Sequence, residues 1–103
     1  MDAEQWRDLA GRLERANGGD AGLDRDVAEA FGAEAGDYSE SVEKAQALVA
    51  AALPDWKLHL GFGATGVFPY ASLASGPTRV VCDAPTVPLA ILRAAVGAKA
   101  TVT

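Results

Sequence analysis

Cysteine and histidine occur once each in this chain of 103 residues. A lone Cys82 admits no internal disulfide, which fits a reducing setting, and gives no cysteine pair for a structural zinc site. No second histidine joins His59, so a metal cluster built on imidazoles has no basis either. Long apolar runs are missing too: none approaches the ~20 residues that cross a bilayer. The acidic start "MDAEQWRD" is unlike a signal peptide. Basic side chains are the scarcer sign, with 9 Lys/Arg against 14 Asp/Glu, a net charge of −5 and a pI near 4.6. That balance argues against simple binding to nucleic acid or an anionic membrane. Internal repeats and low-complexity tracts are absent. The length suits one domain over residues 1–103, with a single modest core.

The charge that is present is unevenly placed. Residues 1–43 hold 12 Asp/Glu and 4 Lys/Arg, a net −8, whereas residues 44–103 hold 2 and 5, a net +3. Solvated helix faces explain such a run. An acidic docking face for a basic partner also explains it, with Glu4, Asp8, Asp24 and Asp26 as its candidate residues.

Hydrophobic spacing then sets out the elements. In "AEQWRDLAGRLERA" (residues 3–16), Trp6, Leu9, Ala10, Leu13 and Ala16 fall on one helical stripe. Asp2 is a candidate N-cap, Asp8–Arg12 is an i,i+4 pair, and "NGG" stops the helix. A second helix runs from about Leu23 to Phe31 and ends at Gly32. Ser39 is the candidate cap of a third, through roughly Leu53, whose inward stripe is Val42, Ala45, Val49 and Ala52; Pro54 closes it. The period then changes to two. "WKLHLGF" (56–62), "VFPYASL" (67–73) and "TRVVCD" (78–83) read as strands, with Pro69 suggesting an edge or a bulge in the second. "PTVPLAILRAAVGAKA" reads as a last helix with Pro88 in its first turn and Leu89, Leu92, Ala95 and Val96 on its buried stripe. The expected class is α+β in the order ααα-βββ-α: a three-stranded antiparallel meander sheet covered by helices as an α-β-α sandwich.

Gly61, Gly63 and Gly66 have the spacing GxGxxG after an apolar alternation, and Asp83 follows at roughly the ~20-residue distance of a dinucleotide fingerprint. That fingerprint needs a helix straight after the glycines, whose first N–H groups hold the pyrophosphate. Here Val67, Phe68, Pro69 and Tyr70 follow, and too few residues separate Gly66 from the next strand for a crossover helix. "GFGATG" therefore reads as a hairpin loop, and no cofactor is expected. His59 alternates with an apolar face and Cys82 lies beside Val80 and Val81, positions that packing alone accounts for. "DRD" at 24–26, with Asp20, lacks the glycine turn and distal glutamate of a calcium loop. No catalytic and no metal-ligating residue is assigned, and a non-enzymatic protein is expected. The enzyme alternative would use His59 with Cys82 or a carboxylate.

Three segments resemble the phage ABA-sandwich domain, a small α/β family of tailed bacteriophages and prophages. "LDRDVAEAFG" (23–32) is similar to its Leu-Asp-x-x-Ile-Ala-x-Ala-Leu-Gly helix. "YSESVEKAQALV" (38–49) resembles its Tyr-Thr-x-Ser-hydrophobic-Asp-x-Ala-x-x-Leu signature through Tyr38, Ser39, Ser41, Glu43, Ala45 and Leu48. "PLAILRAAVGA" (88–98) resembles its alanine-rich last helix, and "PDW" (54–56) resembles its Pro-x-x-Trp entry into the sheet, one residue shorter. Ser39 and Glu43 depart from Thr and Asp, and "AAAL" lengthens the third helix. The resemblance implies a sheet with helices on both faces, and it implies no activity and no functional residues. The expectation it completes is a phage or prophage accessory protein of the bacterial host cytoplasm, acting through contacts with a phage or host protein. A counter-defence inhibitor that mimics nucleic acid with acidic helices, and a virion or assembly component that forms homo-oligomers such as a homodimer, are the alternatives.

Overall fold

The N-terminal helix, α1 (Ala3–Arg15), begins with a reciprocal cap. Asp2 Oδ1 accepts from Gln5 N at 2.9 Å while Gln5 Oε1 accepts from Asp2 N at 2.9 Å, so two otherwise orphaned donors are satisfied. Helix α2 (Ala21–Phe31) is capped by Asp20, which accepts from Leu23 N at 3.0 Å, and ends at Gly32 in the left-handed conformation. Trp6 meets Phe31 edge-on with ring centroids 5.1 Å apart, which packs the two helices together. The computed structural model describes residues 2–63 and 66–102.

Helix α3 (Val42–Ala52) is capped by Ser41 rather than by Ser39. Ser41 Oγ accepts from Lys44 N at 3.1 Å, and Ser39 is instead buried and used elsewhere. Ala45, Leu48 and Val49 form the inward stripe of α3, whereas Val42, expected inside, is 38% exposed. As the first helical residue, Val42 lies where the helix is only beginning to reach the core.

Strands β1 (Lys57–Phe62), β2 (Pro69–Ser75) and β3 (Thr78–Asp83) form an antiparallel sheet in the order β1-β2-β3. Pro69 therefore opens the central strand rather than an edge. The first position of a strand tolerates proline because only one end hydrogen bond is forgone; the Pro69 carbonyl still accepts from Ala84 N at 3.1 Å. The registers pair Leu60 with Ala71 and Ala71 with Cys82, and Leu58 with Leu73 and Leu73 with Val80. These six residues share the face packed on the core.

Helix α4 (Val87–Val102) is the last element. It was expected to bury one stripe, yet Leu89, Ala90, Ile91, Leu92, Ala94, Ala95, Val96 and Ala98 are all at 0% exposure. A helix apolar over most of its circumference belongs inside. It packs on β2 and β3 on one side and on α1 and α3 on others, and its alanines permit the close approach.

The expected class, element order, meander and helical cover are thus observed. One feature differs from an α-β-α sandwich with helices on both faces: the helices are gathered on a single face. Lys57, His59, Arg79, Val81 and Asp83 alternate with the core-facing residues and stay exposed on the other.

Candidate acidic surface of the first two helices

Three acidic side chains converge where α1 meets α2. Asp8, Asp26 and Glu29 line an open groove of about 400 Å³ together with Gln5, Arg12 and the apolar floor of Leu9 and Ala30. Arg12 pairs across it with Asp26 rather than with its i,i+4 neighbour Asp8, tying α1 to α2. The groove therefore carries two acidic charges in excess of its one guanidinium. Glu4, exposed one turn before Asp8, extends the same helix surface.

Asp24 is separate from this group. It accepts from Ser39 N at 2.7 Å, and Ser39 Oγ in turn accepts from Asp20 N at 2.9 Å. Ser39, at 2% exposure, is thus a buried clasp that closes the 32–41 loop onto the start of α2. Asp24 lines a second depression with Arg25, Glu29 and Asp37. Of the four residues singled out in the sequence, Asp8 and Asp26 share a groove, Glu4 flanks it, and Asp24 serves the loop. Asp20 and Asp24 each give Oδ1 to a backbone donor, and "DRD" acts as helix start and loop anchor. At the other end of that loop, Asp37 and Lys44 pair at 3.0 Å. The ammonium hydrogen bond holds the Asp37 carboxyl below the ordinary carboxylate range and raises Lys44.

The glycine stretch joins antiparallel strands. Gly63 N donates to Phe68 O at 3.2 Å and Gly66 N to Gly63 O at 2.8 Å, and β2 begins at Pro69 with no helix among the described residues between. Gly66 has φ 69°, while Gly61 is a strand residue of β1. Ala64 and Thr65, also part of that reading, lie outside the described residues. Asp83 ends β3, and its register partner is Tyr70.

His59 and Cys82 do not meet. His59 is exposed on the open face of β1, with the Tyr70 ring 6.0 Å away by centroids. Cys82 is half-buried on the core face of β3, across the full width of the sheet. Burial pushes the Cys82 thiol above its ordinary value, a shift that nearby Arg93 opposes. Among the described residues no three or more His, Cys, Asp or Glu side chains are placed to hold a metal ion, and no helix is long and apolar enough to cross a membrane.

Arg93 was missed by sequence reasoning. Its guanidinium donates to the carbonyls of Leu13, Glu14, Ala16 and Asp83 at 2.8–3.1 Å. The signal was there as one charge inside "PLAILRAAVGA", a helix otherwise free of charge over that stretch. Compared with known families, curated proteins and solved structures, the chain finds no match.

Proposed function

We propose that this chain is a small phage or prophage accessory protein that works by binding a basic protein surface through α1 and α2, without catalysing a reaction. The observation that carries the reading is the groove between those helices. Asp8, Asp26 and Glu29 rim an apolar floor there, which suits an aliphatic stem ending in a cation. The resemblance to phage ABA-sandwich domains supports the phage setting, in the bacterial host cytoplasm. Polarisation of charge between the helical first part and the remainder would orient an approaching basic partner.

The test is capture from bacterial and phage-infected lysates with the wild-type chain and with Glu4→Lys/Asp8→Lys. The expected result is a basic partner retained by the wild type and lost by the double variant, with retention falling steeply as salt rises. Equal retention by both chains overturns the reading. Glu4 and Asp8 are chosen because neither makes an ion pair among the described residues. Asp24 is unsuitable, since changing it would open the 32–41 loop as well.

A narrower form of the same reading is a counter-defence inhibitor that occupies a nucleic-acid channel. Glu4 and Asp8, one turn apart on an exposed face, support it. Its distinguishing result is competition between the captured partner's DNA or RNA and this chain.

A further inference from the structure

β1 and β3 are both sheet edges, and two loop hydrogen bonds fix which backbone groups each edge leaves free. Gly63 N donates to Phe68 O, continuing the β1–β2 register, so residues of that parity (Lys57, His59, Gly61) make the β1–β2 hydrogen bonds. Ala84 N donates to Pro69 O, continuing the β2–β3 register, so Thr78, Val80 and Cys82 make the β2–β3 bonds. The two assignments agree on β2, where even residues serve β1 and odd residues serve β3. The N–H and C=O groups of Arg79, Val81 and Asp83 therefore point away from the sheet at the β3 edge.

The side chains of the same three residues share the open face. Val81 is 55% exposed, and Arg79 and Asp83 are exposed without an ion-pair partner among the described residues. They stand symmetrically about Val81, two residues to either side. A groove of about 430 Å³ lies between this edge and α1, so the edge is not sealed. The Asp83 carbonyl accepts from Arg93 and keeps a second lone pair.

We propose that β3 pairs antiparallel with β3 of a second copy about a two-fold axis at Val81, giving one continuous sheet of six strands. In that register Val81 faces Val81 of the second copy, and Arg79 faces its Asp83 twice over, which is opposite charge on directly opposed positions. The free backbone parity is the one this register needs. At β1 the outward-pointing residues are Leu58, Leu60 and Phe62, which carry no charge to select a register. A single pair of six-residue strands is a small contact, of the class that binds weakly and transiently, and a dimer of roughly micromolar Kd is expected. This pairing does not depend on the acidic surface of α1 and α2.

Sedimentation over a concentration series tests it with three chains: wild type, Arg79→Asp and Asp83→Arg. The wild type is expected to dimerise, and each single variant to associate at least ~10-fold more weakly, because like charges then oppose across the axis. Mixing the two variants places Asp against Arg at both positions and should restore dimers between them. Circular dichroism of the variants separates loss of pairing from loss of fold. A wild type that stays monomeric at ~1 mM, well above a micromolar Kd, overturns the proposal. So does a dimer that both variants leave unchanged, which would place the contact elsewhere, such as the β1 edge.

Discussion

Arg93 Nε donates to the carbonyl oxygen of Leu13 at 2.9 Å, joining positions 80 residues apart in sequence. The last carbonyls of a helix have no partner within it. Here the Ala16 N–H serves Leu13 O at 3.2 Å, and one side chain of α4 donates to that carbonyl as well as to those of Glu14 and Ala16, and reaches on to Asp83 at the end of β3. Three elements are therefore locked by one planar, five-donor group. Replacing Arg93 by alanine should lower stability by about 3 kcal/mol, since several charge-assisted bonds are lost and some of the carbonyls lie partly buried. Lysine at this position retains the charge but not the fork, and should recover less than half of the loss. Urea unfolding followed by tryptophan fluorescence measures both.

The Ser39 clasp makes a second prediction. Ser39 N and Oγ serve Asp24 and Asp20 in a site that is 2% exposed. Ser39→Ala leaves the Asp20 N–H without its acceptor, and about 1–2 kcal/mol should be lost. Asp24→Asn, which keeps an acceptor oxygen, should cost less than Asp24→Ala. By contrast, the exposed Arg12–Asp26 pair should contribute under ~1 kcal/mol. Amide exchange across residues 36–41 would read the clasp directly: protection should fall in the Ser39 variant and stay unchanged when Arg12 is replaced.

These two sites show where sequence patterns stop being informative. The third strand was legible to the residue, at 78–83, because it is rich in β-branched residues and the Gly76–Pro77 turn bounds its start. The hairpin at Gly61–Gly66 was legible for a similar local reason: a proline and too few residues ruled out a crossover helix. Ser39 and Ser41 both fit a cap by type, and only the three-dimensional position of Asp20 and Asp24 decides between them. Arg93 has no local pattern to mark its role, because its acceptors come from the end of α1, 77 to 80 residues earlier. The open sheet face was hidden by the same mechanism. Alternation in β1 and β3 says that one face is apolar, but not whether anything covers the polar one. At the acidic surface, Asp8 and Asp26 could be placed on helices, yet their sharing of a groove depends on how α1 crosses α2.

Gly61 offers a third test, since its role in the sheet differs from that in a phosphate loop. Tyr70 lies directly across from it, and a Cβ at Gly61 would come within 2.9 Å of the Tyr70 ring and hydroxyl. The ring occupies the space above the glycine backbone and extends toward His59. In Gly61→Ala the ring must swing away, but it stands at the end of a flexible side chain on an open face. Alanine also suits a strand better than glycine. The net change in stability should stay within ~1 kcal/mol. Proton NMR gives the distinguishing signal: the Gly61 Hα resonances should be ring-shifted upfield in the wild type, and the His59 ring shifts should change in the variant.

Cys82 supplies the pH dependence. Burial raises its thiol above the ordinary value in the folded chain, while the unfolded chain titrates near the reference of ~8.5. The folded state therefore holds this proton more tightly. The associated stability is complete below the unfolded pKa and is lost as pH rises through the folded one, so the slope is negative above about pH 8.5. Cys82→Ala removes that contribution, although it also removes some packing against the core. The informative quantity is the difference between the two chains' denaturation midpoints at pH 7.5 and again near pH 10. It should narrow at the higher pH, because the wild type alone must keep a thiolate partly buried. Alkylation gives a second reading of the same physics. At pH 8 Cys82 should react more slowly with iodoacetamide in the native chain than in urea, since both its thiolate fraction and its access are reduced by the fold.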